Sequence, residues 1–240
     1  MYNMESFALS DMTRCGIELR RLGQGAGSME ETAQKIADYF YKSLRKRDDL
    51  PACALVRMYV TAPYSELQQD LQEFATGLVG EATNPAMKCL TLLGTAGEES
   101  DWNSRKKSAG HKALPLESAE SIAKSPMINA LIHQLGIPVA SLLDAGHDIM
   151  LDEHQHTFNV FHVPDAQGSP YIPAQENFVI PHKIRSVLGF GGMLPNGEMF
   201  AIVMFSKLTI PRERAELFNT LALNAKLALL PFAGKQLFNE

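Results

Sequence analysis

The sequence has few cysteines, no long apolar run and no excess of basic charge, and each shortage excludes a class of protein. Only three of its 240 residues are cysteines, and their odd number and wide spacing predict neither a disulfide framework nor a CxxC metal site. The net charge of −5 argues against nucleic acid as the main partner, because phosphate binding depends on clustered Lys and Arg. The most apolar stretch, 221–232, is interrupted by Asn224 and Lys226 and is too short to cross a bilayer.

What remains is the composition of an ordinary globular protein. Hydrophobic residues make up 45% of the chain and charged residues 20%, which suits a packed domain with a substantial core. The N-terminal residues 1–5 lack the basic start and apolar core of a signal peptide. We therefore expect a cytoplasmic protein whose cysteines are reduced.

Apolar periodicity predicts helices at both ends of the chain and strands between them. The pattern Ser28-x-x-Glu31 is a capping box, which indicates where the second helix begins. The predicted helices are 8–22, 28–47, 65–78, 119–135 and 211–230, and the predicted strands are 52–60, 88–96, 157–163, 183–190 and 198–206. The turn Asn196-Gly197 favours a hairpin, so its two strands must be antiparallel. The sequence thus predicts an α+β fold, an antiparallel sheet with helices on one face.

The two terminal helices carry more apolar surface than one sheet can cover. The first has a heptad-like seam formed by Met12, Cys15, Leu19 and Leu22. The last is apolar almost all round over 221–230. We expect the N- and C-terminal helices to pack together. They can do so within the chain, or meet their copies across a two-fold axis, and we favour a homodimer.

The C-terminal third resembles the second half of a GAF domain. The run 184–188, Ile-Arg-Ser-Val-Leu, is similar to the strand that begins the closing hairpin of that family, and 199–205 to its partner strand. The helix 211–230 is similar to the family's closing helix. The first half fits only in the order of its elements, and the insertion 97–155 is longer than a minimal GAF domain needs. The resemblance implies a division into an N-terminal helix (1–27), a GAF-like sensory domain (28–232) and a tail (233–240).

This resemblance implies a non-catalytic signal-transduction domain that binds a small ligand or a partner. The chain also resembles the input regions of bacterial sensor histidine kinases, so the output partner implied is a histidine kinase of a two-component system or another output module. No phosphoacceptor motif and no nucleotide-binding glycine loop is present. One alternative is an interaction module that binds no ligand. A thiol enzyme is the other, since one GAF-fold family reduces free methionine sulfoxide with cysteine nucleophiles, although the cysteine motif of that family is not recognisable here.

Ligand contacts are expected around the long Pro-rich loop 164–181, because long loops in compact domains tend to be lids or binding loops. We predict a pocket between this loop and the sheet, with Trp102 approaching from the other insertion. The candidate ligand-binding residues are Trp102, His162, Tyr171, Phe178, Arg185, Ser186 and Phe190.

The histidines are the candidate metal ligands in this sequence. His154 and His156, with His162 and His182 near, have side chains that can bind a metal or haem. Nothing in the sequence makes them converge, so we predict no metal site. The ligand itself stays open between a cyclic nucleotide, a tetrapyrrole, an amino acid and none, and the cofactor is unknown.

Overall fold

The computed structural model describes residues 1–80, 84–143, 159–235 and 237–239. Its centre is a six-stranded sheet with the order β5-β4-β3-β8-β7-β6, in which every neighbouring pair is antiparallel. A separate parallel pair is formed by the short strands β1 and β2. The strands are β1 (Tyr2–Asn3), β2 (Leu44–Arg45), β3 (Cys53–Pro63), β4 (Lys88–Gly97), β5 (Ala113–Pro115), β6 (Val160–Val163), β7 (Ser186–Met193) and β8 (Met199–Ser206).

The hairpin predicted at Asn196-Gly197 is confirmed. Gly197 has a φ of 77°, a left-handed conformation that glycine adopts without strain. Strands β7 and β8 pair from Met193 opposite Met199 along their whole length. The observed α+β class and the antiparallel sheet therefore agree with the prediction.

Helices cover both faces of the sheet, which corrects the expectation of one covered face. The helices are α1 (Leu9–Arg21), α2 (Met29–Ser43), α3 (Gln69–Val79), α4 (Ala119–Ala123), α5 (Pro126–Gln134), α6 (Val139–Leu143), α7 (Arg212–Ala215) and α8 (Phe218–Leu229). Ser28 caps α2 as predicted, accepting a hydrogen bond from Glu31 N at 3.1 Å. Pro126 divides the helix predicted at 119–135 into α4 and α5, since proline fits the first turn of a helix but not its interior.

We call one side of the sheet the terminal-helix face, because α1, α2 and α8 pack there. Phe40, Phe190 and Phe218 meet in its core, with ring centroids 5.4 to 6.4 Å apart. Helices α1 and α8 lie against each other, and a Cβ built on Gly23 would be 2.2 Å from the carbonyl oxygen of Ala228. The predicted packing of the terminal helices together is confirmed.

The heptad-like seam of the first helix is used inside the chain. Cys15 and Leu19 are fully buried in the terminal-helix core, and Met12 and Leu22 pack against it. The seam therefore stabilises the monomer. Both ends of the chain also join this core, since Phe7 and Phe238 are buried in it.

Helix α2 approaches the sheet closely where it crosses β4. A Cβ on Gly94 would lie 2.3 Å from the carbonyl oxygen of Ala33. Beyond Thr91, where the pairing with β5 stops, the side-chain amide of Gln34 replaces a neighbouring strand. It donates to Thr95 O at 2.9 Å and accepts from Thr95 N at 3.1 Å.

We call the other side of the sheet the loop face. Its core contains side chains from β3, β4, β7 and β8, such as Leu92 and Val203, together with α5 and α6. The segments 98–112 and 164–185 complete its cover. The strand predicted at 157–163 is observed only over β6, and residues 157 and 158 lie outside the described part of the chain.

Among the described residues, no helix combines the length and apolar character that crossing a membrane requires.

Candidate functional site

Two long segments meet over the loop face through a group of aromatic rings. Trp102, in a 3-10 turn at Ser100–Asn103, has its ring 4.5 Å from that of His182 and 5.6 Å from that of Phe178. Phe178 continues the contact down to Phe205 of β8, edge to face at 4.9 Å. We call Trp102, Phe178 and His182, with the ion pairs of Glu98 described below, the latch.

Local hydrogen bonds position the two halves of the latch. Thr95 Oγ1 donates to the Trp102 carbonyl at 2.8 Å, and the Asn103 amide pairs with both backbone groups of Gly97 at 3.0 Å. In the other segment, the Gln175 amide donates to Ala166 O and Ile172 O and accepts from Gly168 N. Polar side chains within or next to each segment thus hold it in place independently of the ring contacts.

Glu98 connects the two segments to the sheet by charge. Its carboxylate lies 2.6 Å from His182 Nδ1 and forms a short ion pair with Lys207, just after β8. Desolvation alone would raise the pKa of Glu98, but the hydrogen bonds from Lys207 and His182 outweigh it, and its pKa is lowered. The carboxylate is therefore held in its charged form.

Glu98, Glu99 and His182 also have ligand atoms within 4.8 Å of one another, a spacing that could hold a metal ion. Both oxygens of Glu98 are engaged, however, one by His182 and the other by the Lys207 ammonium. We therefore assign the group as an ion pair of Glu98 with Lys207, extended by the hydrogen bond between Glu98 and His182. His154 and His156 lie outside the described residues.

A second polar group on the loop face surrounds Arg57. This residue lies in the middle of β3, the third strand of the six, and pairs with Thr95 and Val203 on the two sides. Its guanidinium donates to Ser108 Oγ at 3.0 Å, Tyr59 Oη at 3.2 Å and Gly110 O at 3.4 Å. The turn 108–111 therefore folds over a charged side chain in an otherwise apolar sheet face.

The structure separates the seven candidate residues instead of bringing them into one pocket. Trp102 and Phe178 meet in the latch. Phe190 is fully buried on the opposite side, in the terminal-helix core. Tyr171 is 44% exposed, and Arg185 is also exposed.

His162 and Ser186 make structural hydrogen bonds. The His162 Nε2 lies 2.8 Å from the Ile210 carbonyl, and burial lowers the pKa of its imidazole. The buried Ser186 hydroxyl donates to Leu208 O at 2.6 Å and accepts from Ile210 N at 3.3 Å. Both side chains fix the connection after β8.

A single pocket lined by His162, Tyr171 and Phe190 is therefore wrong in its geometry. Successive residues of a strand point to opposite faces, and His162 and Phe190 share the terminal-helix side with Val160 and Leu188. The loop 164–181 lies on the other side, where its residues Ala166, Ile172 and Val179 are buried. Ligand binding by the individual candidates stays a prediction.

Sequence reasoning missed Arg57, Ser108 and the role of His182. The sequence did contain a signal for Arg57, because this charged residue interrupts the otherwise apolar run 54–60. A charge in the middle of a strand whose two faces are covered needs a partner or a ligand. Nothing in the sequence indicates that 98–112 and 164–185 meet.

The three cysteine side chains belong neither to the latch nor to the polar group around Arg57. Cys15, Cys53 and Cys89 are free and buried. Burial raises the pKa of each thiol to about 12. A protonated, inaccessible thiol is a poor nucleophile.

Similar folds occur among solved structures. The free methionine-R-sulfoxide reductase of Neisseria meningitidis, in complex with its substrate, is 10% identical at a TM-score of 0.50, covering 95% of this chain and 94% of that one. The corresponding enzyme of Staphylococcus aureus (reduced form) is 10% identical at a TM-score of 0.48, covering 91% and 95%. The GAF domain of a phosphoenolpyruvate-protein phosphotransferase from Coxiella burnetii is 12% identical at 0.47, covering 92% and 93%.

No protein-family model and no curated protein matches the sequence. The chain shares its overall fold with the free methionine-R-sulfoxide reductase of Neisseria meningitidis. At such low identity the likeness concerns the fold alone, and one fold serves many functions.

Proposed function

We propose that this chain is a non-catalytic, cytoplasmic signal-transduction domain that binds a small ligand on the loop face. The observation that carries the proposal is the latch. The terminal-helix face is closed by tightly packed helices, whereas two long segments cover the loop face and are joined by rings and by the ion pairs of Glu98. Loops fastened by a few polar contacts open at a lower free energy than a packed core does.

The cysteines support a non-catalytic role over a thiol enzyme. All three are buried, and a pKa near 12 leaves almost no thiolate at neutral pH. The structural likeness to methionine sulfoxide reductases keeps that activity as an alternative to be assayed directly, with free methionine sulfoxide as substrate.

An interaction module without a ligand is the second candidate, and one observation favours it. A Cβ on Gly189, in the middle of β7, would lie 3.1 Å from a ring carbon of Phe161 and 3.2 Å from a methyl of Leu131. At this point the chain's own side chains fill the loop face.

A ligand screen separates these functions. We expect native mass spectrometry and absorption spectra of the purified chain, with thermal shifts across cyclic nucleotides, amino acids and methionine sulfoxide, to reveal a bound species or a stabilising compound. Trp102→Ala should reduce the shift and Trp102→Phe should preserve most of it, because phenylalanine can keep a ring contact with His182. A native mass equal to that of the chain alone, with no thermal shift for any compound, would support the interaction module.

We also propose that the domain is a homodimer that signals to a histidine kinase or other output module. Because the seam of α1 is buried, a dimer would have to use the exposed apolar residues of the terminal helices, Ile17, Leu223 and Leu227, which are 38 to 44% exposed. A double change of Ile17 and Leu223 to Lys should convert a dimer to a 26.5 kDa monomer in light scattering. Leu78→Lys, at an exposed leucine of α3, is the matched control. A wild-type mass of 26.5 kDa at micromolar concentration would exclude a stable dimer.

A further inference from the structure

We propose that Arg57 recognises an oxyanion, a carboxylate or a phosphate, of the small ligand. This inference rests on the proposed function, because it assigns a chemical class to what the loop face binds. It begins from the position of Arg57 in the fold.

Arg57 lies in a row of side chains that crosses the loop face, with the buried Thr95 of β4 on one side and mostly apolar residues on the other. Its neighbour in β8 is Val203, followed by Gly189 of β7 and Phe161 of β6. Phe205, which contacts the latch, is one row away. A permanent positive charge is costly in such surroundings unless something compensates it.

The described residues supply only neutral partners. Arg57 donates to two hydroxyl groups and one carbonyl, and in the described part of the chain no carboxylate forms an ion pair with it. Its Nε is buried without a hydrogen-bond partner there, as are the Nε of Arg45 and the Nη1 of Arg105, so the distinguishing feature of Arg57 is the absence of a carboxylate among its described partners. A guanidinium has five N–H donors in a planar fork that matches carboxylate and phosphate geometry.

Arg105 is a buried arginine with a structural role, and it provides a comparison for Arg57. Its buried guanidinium pairs with Glu30, lies 3.8 Å from Asp70 and stacks on Phe238 at 5.0 Å. Arg57 has no such carboxylate among the described residues, although it is also largely covered. The contrast indicates that its charge is reserved for a ligand.

The turn over Arg57 offers the guanidinium only neutral hydrogen-bond acceptors, which an anion can replace. Ser108 Oγ is buried, and it is 3.1 Å from Gly110 O as well as 3.0 Å from Arg57. His111 has a φ of 57°, a left-handed conformation that is uncommon outside glycine. Neutral acceptors on a strained turn can be exchanged for an anion, whose hydrogen bonds to a guanidinium are stronger than theirs.

The surroundings also indicate the rest of the ligand. Leu55 and Phe205 form the row next to that of Arg57. The rings of Trp102 and Phe178 lie beyond this row. A small molecule with an anionic group at one end and an apolar or aromatic body fits these neighbours. Benzoate and phenyl phosphate are therefore the probes, and benzamide is the uncharged counterpart of benzoate.

The experiment titrates the full chain with the three probes while the ¹H–¹⁵N resonances of its arginine side chains are followed. We expect benzoate or phenyl phosphate to shift the Arg57 Nε–H signal and benzamide to leave it unchanged. The stronger of the two anions identifies the oxyanion. Arg57→Gln should weaken binding roughly tenfold or more, the loss of a charged hydrogen-bond pair, and Arg57→Lys by less. Arg20→Gln, at an exposed arginine of α1, makes the same charge change away from the site and should have no effect.

The outcomes separate the inference from the proposed function. Thermal unfolding of each variant establishes whether it is folded. If Arg57→Gln does not fold, the comparison is made with Arg57→Lys. Equal affinity of Arg57→Gln and wild type for the anions, or equal binding of benzamide and benzoate, overturns the role of Arg57 while leaving a ligand-binding face. If neither anion binds the wild type, the inference is overturned. The proposed function fails with it only if the metabolite screen also finds no ligand.

Discussion

Gly94→Ala tests the close approach of α2 to the sheet. The new Cβ would be 2.3 Å from Ala33 O, where ordinary contact begins at 3.4 Å, so the helix backbone must move by about 1 Å. That movement also stretches the two hydrogen bonds between Gln34 and Thr95. Overpacking costs roughly 1–3 kcal/mol and each of the two hydrogen bonds about 1 kcal/mol, so we expect a loss of about 3–5 kcal/mol in the free energy of unfolding.

Gly77→Ala is the matched control, because it makes the same chemical change in open space. Gly77 lies in α3, and nothing is within 4 Å of the Cβ position. Alanine should stabilise the helix there by up to about 1 kcal/mol. Urea unfolding followed by circular dichroism measures both variants. Equal changes in the two, or a loss below about 0.5 kcal/mol at Gly94, would refute the close contact.

Two further predictions concern the thiols and the latch. Ellman's reagent at pH 8 should label Cys15, Cys53 and Cys89 only slowly in the native chain and rapidly in urea, because burial raises the pKa of each thiol to about 12. Fast labelling of the native chain would contradict this and favour the thiol enzyme. The lowered pKa of Glu98 contributes stability above the ordinary Glu pKa of about 4.3, and this contribution is lost as pH falls through the lowered value. Glu98→Gln should therefore flatten the loss of stability as the pH falls below about 4.3, whereas Glu120→Gln, at an exposed carboxylate, should not. The same loss of stability at acid pH in wild type and Glu98→Gln would contradict this.

The fold was predictable where local signals are strong. The Asn196-Gly197 turn, the Ser28 cap and the position of Pro126 each depend on a few adjacent residues, and each agrees with the structure. The short strand β5 was missed because three residues at a sheet edge carry no periodicity. The second covered face was missed because the sequence does not show where α5 and α6 pack.

The candidate site was predictable only in part. Trp102 and Phe178 stand out as large aromatic residues in long polar segments, and both belong to the latch. Phe190 was placed on the wrong side because the faces of a strand cannot be assigned until its register is known. Two of the three partners of Arg57, Ser108 and Gly110, lie about 50 residues away, a separation that no local pattern encodes.

The contact between Gln34 and Thr95 has a consequence for how copies of this chain behave toward one another. The end of a strand with unpaired backbone groups is a template on which another chain can add a strand and begin to aggregate. The Gln34 amide occupies both backbone groups of Thr95, and it comes from a helix that cannot extend the sheet further. The Gln34 side chain thus blocks intermolecular strand addition at Thr95, as the Asn103 amide does at Gly97. We expect the loss of Gln34 to open this edge to self-association.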